Sequence, residues 1–217
     1  MEVESMQLFN EHSHLLLITF AFFMVYIIFL IFKSRLKGKI GEWVVQQHVR
    51  HHLDNRYILL NNITLPDGDG TTQIDHILLS PYGLFVIETK NYRGWIYGEE
   101  KQKMWTQKIY KNNYKFQNPI HQNYKHIKVI ETYLLGVIED GLIHSIVVFM
   151  PDCEFKTQMP TQVFKGRAWI DYVLSFQDEI IPIMKLKRIQ MQLEKNALDQ
   201  SWKTHRVHVE NLKLKSK

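Results

Sequence analysis

TTQIDHILLSPYGLFVIETKN, Thr71 to Asn91, is the stretch whose reading decides the fold. Two runs rich in Ile, Leu, Val, Phe and Thr, Thr71–Ser80 and Leu84–Asn91, flank a Pro/Gly turn at Ser80-Pro81-Tyr82-Gly83, the pattern of a β-hairpin. Strand side chains alternate, so Glu88 and Lys90 share a face. A two-residue loop at Pro81-Tyr82 sets Asp75 opposite Glu88, with Cβ atoms about 5 Å apart. A type I turn with Gly83 in a left-handed bulge shifts the pairing by one and sets Asp75 opposite Thr89. On its own, Glu-x-Lys in a strand is ordinarily a solvated ion pair. Here the charges adjoin Ile77-Leu78-Leu79 and Leu84-Phe85-Val86-Ile87, runs typical of strands covered on both faces. A buried carboxylate needs a metal or a paired base.

Outward from the hairpin, Ile40 to Leu53 reads as a helix with Ile40, Trp43 and Val44 on its apolar side and Glu42 in its first turn. Glu42 there also favours the positive helix end, an account that needs no function. Tyr57 to Leu65 reads as a strand ended by the turn Pro66-Asp67-Gly68-Asp69-Gly70. Gly94–Tyr97 and Lys103–Tyr110 are predicted as short strands. Asn118-Pro119 predicts an N-cap and first turn opening a helix to about Ile138, with Gln122 and His126 on one line. A strand from Ile143 to Met150 follows. Beyond Pro151, Val163-Phe164 and Trp169-Ile170 read as short strands, and Asp178 to about Leu198 as a helix interrupted near Pro182.

Composition narrows the class. A chain of 217 residues, 45% hydrophobic and 23% charged, builds one substantial domain plus additions. Cys153 is the only cysteine, which excludes an intrachain disulfide and a cysteine-based zinc site and suits a reducing compartment. Leu15 to Phe32 carries no charge and, as a helix, spans about 27 Å, close to a bilayer core. It reads as a transmembrane helix. Lys33, Arg35, Lys37 and Lys39 follow at once, so the basic flank places residues 1–14 outside and everything after the span in the cytoplasm, as a single-pass cell-membrane protein. The predicted organisation is therefore a short extracytoplasmic N-terminus (1–14), the transmembrane helix (15–32), a basic linker (33–37), a folded domain (38–150) and a C-terminal extension with strands and a basic helix (151–217). All Lys and Arg follow residue 32, which suits a polyanion such as nucleic acid, or anionic lipid touched by the linker and tail.

The element order places Glu42, Asp75, Glu88, Lys90 and Gln122 to converge at one end of a sheet, a hard-oxygen setting that favours Mg²⁺ or Mn²⁺. Arg93, Lys101, Lys103, Lys108 and Lys111, with Lys115 at the end of the run, are interleaved with Tyr92, Trp95, Tyr97, Trp105, Tyr110 and Tyr114 and are candidates to hold phosphates and stack bases. The plainer account makes Trp95 and Trp105 core and the lysines the solvation of edge strands. His48, His51 and His52 include helical pairs suited to a transition metal, but they lack a third ligand. No phosphate-binding Gly-rich loop and no serine nucleophile elbow occurs, which argues against an ATPase or an α/β-hydrolase.

GEWVV at 41–45, TTQIDHILLSPYGLFVIETKNYRGWIYG at 71–98 and FQNPIHQN at 116–123 resemble the NERD, or nuclease-related, domain, a branch of the PD-(D/E)xK superfamily. The resemblance covers Gly38 to Met150. It implies an α/β fold with a restriction-endonuclease-like core, a mixed central sheet flanked by helices. It further implies that Asp75, Glu88, the Thr89 carbonyl and Glu42 are metal ligands for Mg²⁺ or Mn²⁺. Lys90 would polarise the attacking water, and Gln122 would complete the site. The activity implied is phosphodiester hydrolysis in DNA, with RNA second. The superfamily's leading Pro-Asp stands here as Ile74-Asp75. A catalytically silent module that tethers nucleic acid or protein to a membrane is the alternative.

Overall fold

The computed structural model describes residues 2–198, with side chains for 17–29 and 36–198. It divides into two compact units, one reaching Ile40 and one starting at Gly41. Helix α1, Glu2–His52, belongs to both. The predicted linker at 33–37 is thus a continuation of helix, since no proline between Leu15 and Leu53 interrupts its backbone hydrogen bonds. Among the described residues no helix is long and apolar enough to cross a membrane, so the structure does not support the span expected at 15–32. Residues 15, 16 and 30–32 of that span lie outside the described side chains, as do those of 1–14 and all of the basic tail 199–217. Within 17–29, large apolar side chains stand open all round the helix, Phe22 at 73% and Val25 at 62% exposure.

The second unit is a mixed α/β fold. Its larger sheet has five strands in the order β1-β2-β3-β7-β9, formed by Ile58–Asp67, Gly70–Ser80, Gly83–Lys90, Ile143–Phe149 and Val163–Lys165. The first three strands are antiparallel neighbours, and β3, β7 and β9 run parallel. Helices α2 (Pro119–Tyr133) and α4 (Ile183–Asn196) cover one face through Ile127, Ile130, Leu186 and Ile189 against Ile77, Leu79 and Val86. The end of α1 and helix α3 (Ala168–Leu174) cover the other through Val45, Trp169 and Val173 against Leu78, Phe85 and Ile87. The expected mixed sheet flanked by helices is therefore what the second unit folds into.

A second sheet has four strands in the order β6-β5-β4-β8, formed by Asn112–Gln117, Met104–Ile109, Gly94–Tyr97 and Cys153–Phe155. Strands β6 and β8 are absent from the sequence expectation, for a physical reason. Strand β6 is a polar edge strand whose residues are mostly exposed, and β8 is three residues long, so neither carries an apolar period. Trp169-Ile170, predicted as strand, lies in α3. There Trp169, Ile170 and Val173 make one buried stripe at helical spacing.

Two glycines position the hairpin and the helix beside it. The β2–β3 turn pairs Ser80 with Gly83, the two-residue-loop register, and Gly83 sits at φ +150° with the His144 ring 3.0 Å from where a Cβ would be. A Cβ on Gly41 would lie 3.0 Å from Thr89 Cγ2 and 3.2 Å from Asn91 Cβ, so glycine lets α1 lie close against β3.

Candidate active site

The β2–β3 ladder runs from Ser80–Gly83 to His76–Ile87 and stops there. Strand β3 continues alone on that side, held by β7 as far as Lys90–Phe149. Asp75 and Glu88 are the first residues beyond the last pair, where the two-residue-loop register would set them opposite each other. Asp75 closes the gap with its side chain, its Oδ2 accepting from the Thr89 N–H at 2.8 Å. A backbone donor that lost its ladder partner is thereby satisfied by a carboxylate.

Glu88, only 2% exposed, points to the α2 face of β3. Its Oε1 accepts from Lys90 Nζ at 2.6 Å, and Lys90 Nζ also donates to Gln122 Oε1 at 2.9 Å. Glu88 Oε2 and His126 Nε2, both buried, face each other at 3.3 Å as an ion-pair contact outside hydrogen-bond geometry. The other ring nitrogen of His126 meets Thr72 Oγ1 at 2.8 Å. Thr89 Oγ1 is also buried, without a hydrogen-bond partner.

Helix α2 owes its placement to two buried asparagines. Asn118 Oδ1 caps the helix by accepting from the Ile120 N–H at 2.9 Å, while its Nδ2 donates to the carbonyls of Glu100 and Gln102 at 2.9 and 2.7 Å. Asn123 Nδ2 donates to the Val86 carbonyl at 2.8 Å and to Ser145 Oγ at 2.9 Å, fastening the helix to β3 and β7. Gln122, between the clamps, is thus delivered to Lys90.

Burial pushes Asp75 well above the usual carboxylate range. The charge of Glu88 adds to that, and the Thr89 N–H and Lys90 only partly oppose it. Glu42 adds a smaller push, which places it within electrostatic reach of Asp75. Burial acts upward on Glu88 too, but the Lys90 ammonium and His126 outweigh it and hold Glu88 below its ordinary value. Burial would lower Lys90, yet the Glu88 carboxylate keeps it above its ordinary value and charged. His76 is driven down to about 4 by burial, so it is neutral, with Nδ1 bonded to Asn61 Oδ1 at 2.7 Å. The site therefore holds one ionised pair, Glu88 and Lys90, beside a carboxyl group that lacks a counter-charge of its own.

The structure thus brings Asp75, Glu88, Lys90 and Gln122 together, with Glu42 near Asp75. His126 and Thr72 join them unforeseen, although His126 falls one helical turn after Gln122 in the sequence. Among the described residues no three His, Cys, Asp or Glu side chains form a ready metal cluster. The hard oxygens at the notch fit a cation of the Mg²⁺ type, which is commonly held by one or two carboxylates with water completing its shell. His48 packs against α3 instead, its Nδ1 accepting from Trp169 Nε1 at 3.3 Å. Of the basic candidates, Arg93, Lys101, Lys103 and Lys111 are exposed outside the strands of the smaller sheet. Lys108 lies on β5, its Nζ 5.5 Å from the Trp95 ring centroid. Trp105 is core, whereas Trp95 is 42% exposed.

The sequence pattern of the nuclease-related domain family matches residues 37–150. An uncharacterised protein of Bacillus anthracis is 48% identical over 122 residues, 55% of this chain and 56% of that protein. The chain thus spans just over half the length of that relative. No solved structure matches significantly.

Lys90→Met would leave Glu88 buried without its cation, at a cost of about 3 kcal/mol in unfolding free energy at pH 7.5. Burial then raises the Glu88 pKa, so the deficit grows as pH rises through that value and shrinks on acidification, when Glu88 is protonated. Urea unfolding at pH 5 and 7.5 measures both; an equal deficit at the two values would mean that Lys90 is not what keeps Glu88 ionised.

Proposed function

Since the chain belongs to the nuclease-related domain family, we propose that it hydrolyses phosphodiester bonds of nucleic acid, DNA in the first place and RNA in the second, using Mg²⁺ or Mn²⁺ held at Asp75 and Glu88. What supports this reading above all is the chain of contacts from Glu88 through Lys90 to Gln122 beside Asp75, where the β2–β3 ladder has ended and β3 is paired only to β7.

Asp75 and Glu88 would hold the cation with the Thr89 carbonyl, and Glu42 would act on it from the α1 side. The cation, when bound, offsets the charge that builds on the phosphoryl oxygens and lowers the pKa of a coordinated water. Lys90 brings a permanent positive charge to the same place and orients the attacking water, whose oxygen forms the new bond to phosphorus as the bond to the leaving ester oxygen breaks. Gln122 holds the Lys90 ammonium in position, and His126, bonded to Thr72, stands beside the second oxygen of Glu88, the one that Lys90 leaves for the cation. Their shared task is to keep the carboxylates in one geometry, because a small displacement at a reacting centre costs a large factor in rate.

One observation favours a second reading. Lys90 is already matched by Glu88 and Gln122, as in a purely structural ion pair. A module that binds nucleic acid without cutting it would keep this arrangement.

Where the activity resides is proposed from sequence. The uncharged run Leu15–Phe32 and the basic residues after it would tether the chain to the cell membrane with the second unit in the cytoplasm. The openly exposed Phe20, Phe22, Phe23 and Phe29 suit a lipid environment.

Cleavage of labelled DNA and RNA, single- and double-stranded, in Mg²⁺, Mn²⁺ or chelator tests the chemistry. Wild type should cut only with metal, and Asp75→Ala and Lys90→Ala should each lose roughly a hundredfold or more in rate. Unchanged cutting by the variants would refute the site, and binding without cutting by wild type would favour the silent module. For the tether, the chain should stay with membranes through alkaline carbonate extraction; full release would exclude a spanning helix.

A further inference from the structure

We propose that the open face of the smaller sheet is a binding platform for single-stranded nucleic acid, with Trp95 and Tyr97 as the stacking surface and Lys108, Lys115 and Lys156 as the phosphate contacts. The inference rests on the nucleic-acid reading above and goes beyond it in naming the surface and the form of the polymer.

Register defines the face. Trp95 pairs with Lys108 on β5 and with Glu154 on β8, Tyr97 pairs with Thr106, and Thr106 pairs in turn with Lys115 on β6. Directly opposed residues project to the same side of a sheet. The other side carries Ile96, Trp105, Phe116 and Cys153, which make their own core with Phe149 and Val147 of the larger sheet. One face of the sheet is thus committed to packing, and the face carrying Trp95 is not.

The chemistry of that face is specific. Trp95 is 42% exposed, and two ammonium groups lie over its ring, Lys156 Nζ at 4.7 Å and Lys108 Nζ at 5.5 Å from the centroid, on flexible stems that a stacking base would displace toward its phosphates. Lys156 is bridged to Glu154, the one acid among the paired residues of this face, and Lys115 donates to Thr106 Oγ1 at 2.7 Å. Beside the tryptophan lies a cleft of about 460 Å³ lined by Arg93, Gly94, Trp95, Lys108, Ile109 and Tyr110. Tyr110, held at φ +52° in the β5–β6 turn, is 92% exposed. A large aromatic surface left in water among cations matches a polymer that alternates flat bases with phosphates. A duplex keeps its base faces stacked on each other, so only a single strand can use the tryptophan. An acidic peptide would meet the lysines but leave the rings without a partner.

The test is fluorescence anisotropy of a labelled oligothymidine and of the matching duplex with the full chain in chelator, where no cleavage occurs. Single strand should bind more tightly than duplex. Trp95→Ala should weaken it roughly tenfold, while Trp95→Phe stays within about threefold. The Lys108→Gln/Lys115→Gln double variant should reduce the salt slope by about 0.7 per lysine. Lys128→Gln on α2 should bind as wild type does. Retained affinity in Trp95→Phe and unchanged unfolding midpoints separate lost stacking from misfolding. No binding by wild type, tighter binding of duplex, or wild-type affinity in Trp95→Ala would overturn the inference. Binding that Trp95→Ala abolishes, in a protein that never cuts, would uphold the platform and remove the nuclease reading. Cutting at wild-type KM by Trp95→Ala would do the reverse.

Discussion

Everything at the candidate site depends on where two strands stop pairing. Beyond His76–Ile87 the edge of β3 is no longer satisfied by β2, and the Asp75 carboxylate takes over the Thr89 N–H. Had the ladder run further, the strands themselves would have satisfied that donor, and Asp75 and Glu88 would have stood as a directly opposed pair. Pairing on the β7 side, continuous to Lys90, keeps β3 straight while its other edge is released. Rigidity on one side and release on the other give buried carboxylates a fixed geometry without a complete hydrogen-bond shell.

The electrostatics follow from that geometry. Glu88 is tolerated in the interior because Lys90 lies 2.6 Å away, and Lys90 is tolerated because Glu88 and Gln122 both accept from it. Asp75 has no such cation, and its burial raises its pKa. A structural protein would gain by filling this notch with apolar side chains, since a half-satisfied polar network is less stable than a packed core. That the chain keeps the network, with Glu88 Oε2 and His126 Nε2 facing each other at 3.3 Å outside hydrogen-bond geometry, is the strongest physical argument for function.

Much of this was legible in the sequence because it was local. The hairpin, its Pro-Tyr loop and the shared face of Glu88 and Lys90 follow from alternation and turn chemistry, and Asn118-Pro119 announced the helix that carries Gln122. What escaped was set by long-range contacts. His126 has no signature of its own until α2 is laid against β3, and Thr72 becomes its partner only through the same packing. Strand β6 is too polar, and β8 too short, to show a period. Trp169-Ile170 looks like strand until α3 turns both residues toward Val45 and Val148. Density along the chain picks out Lys108 and Lys115 together with Arg93, Lys101, Lys103 and Lys111, whereas only the pairing of β4 with β8 brings Lys156 to the Trp95 ring.

On the proposed function, Asp75 and Glu88 are completed by a divalent cation. A buried carboxyl group with a raised pKa must lose its proton to become a ligand, so metal binding and proton release should be coupled there. Isothermal titration of Mg²⁺ and Mn²⁺ into the full chain near neutral pH, repeated in buffers of different ionisation enthalpy, reads both at once. Binding that releases protons and is lost in Asp75→Asn is the expected result. Absence of binding, or binding that releases no proton and persists in Asp75→Asn, would contradict it.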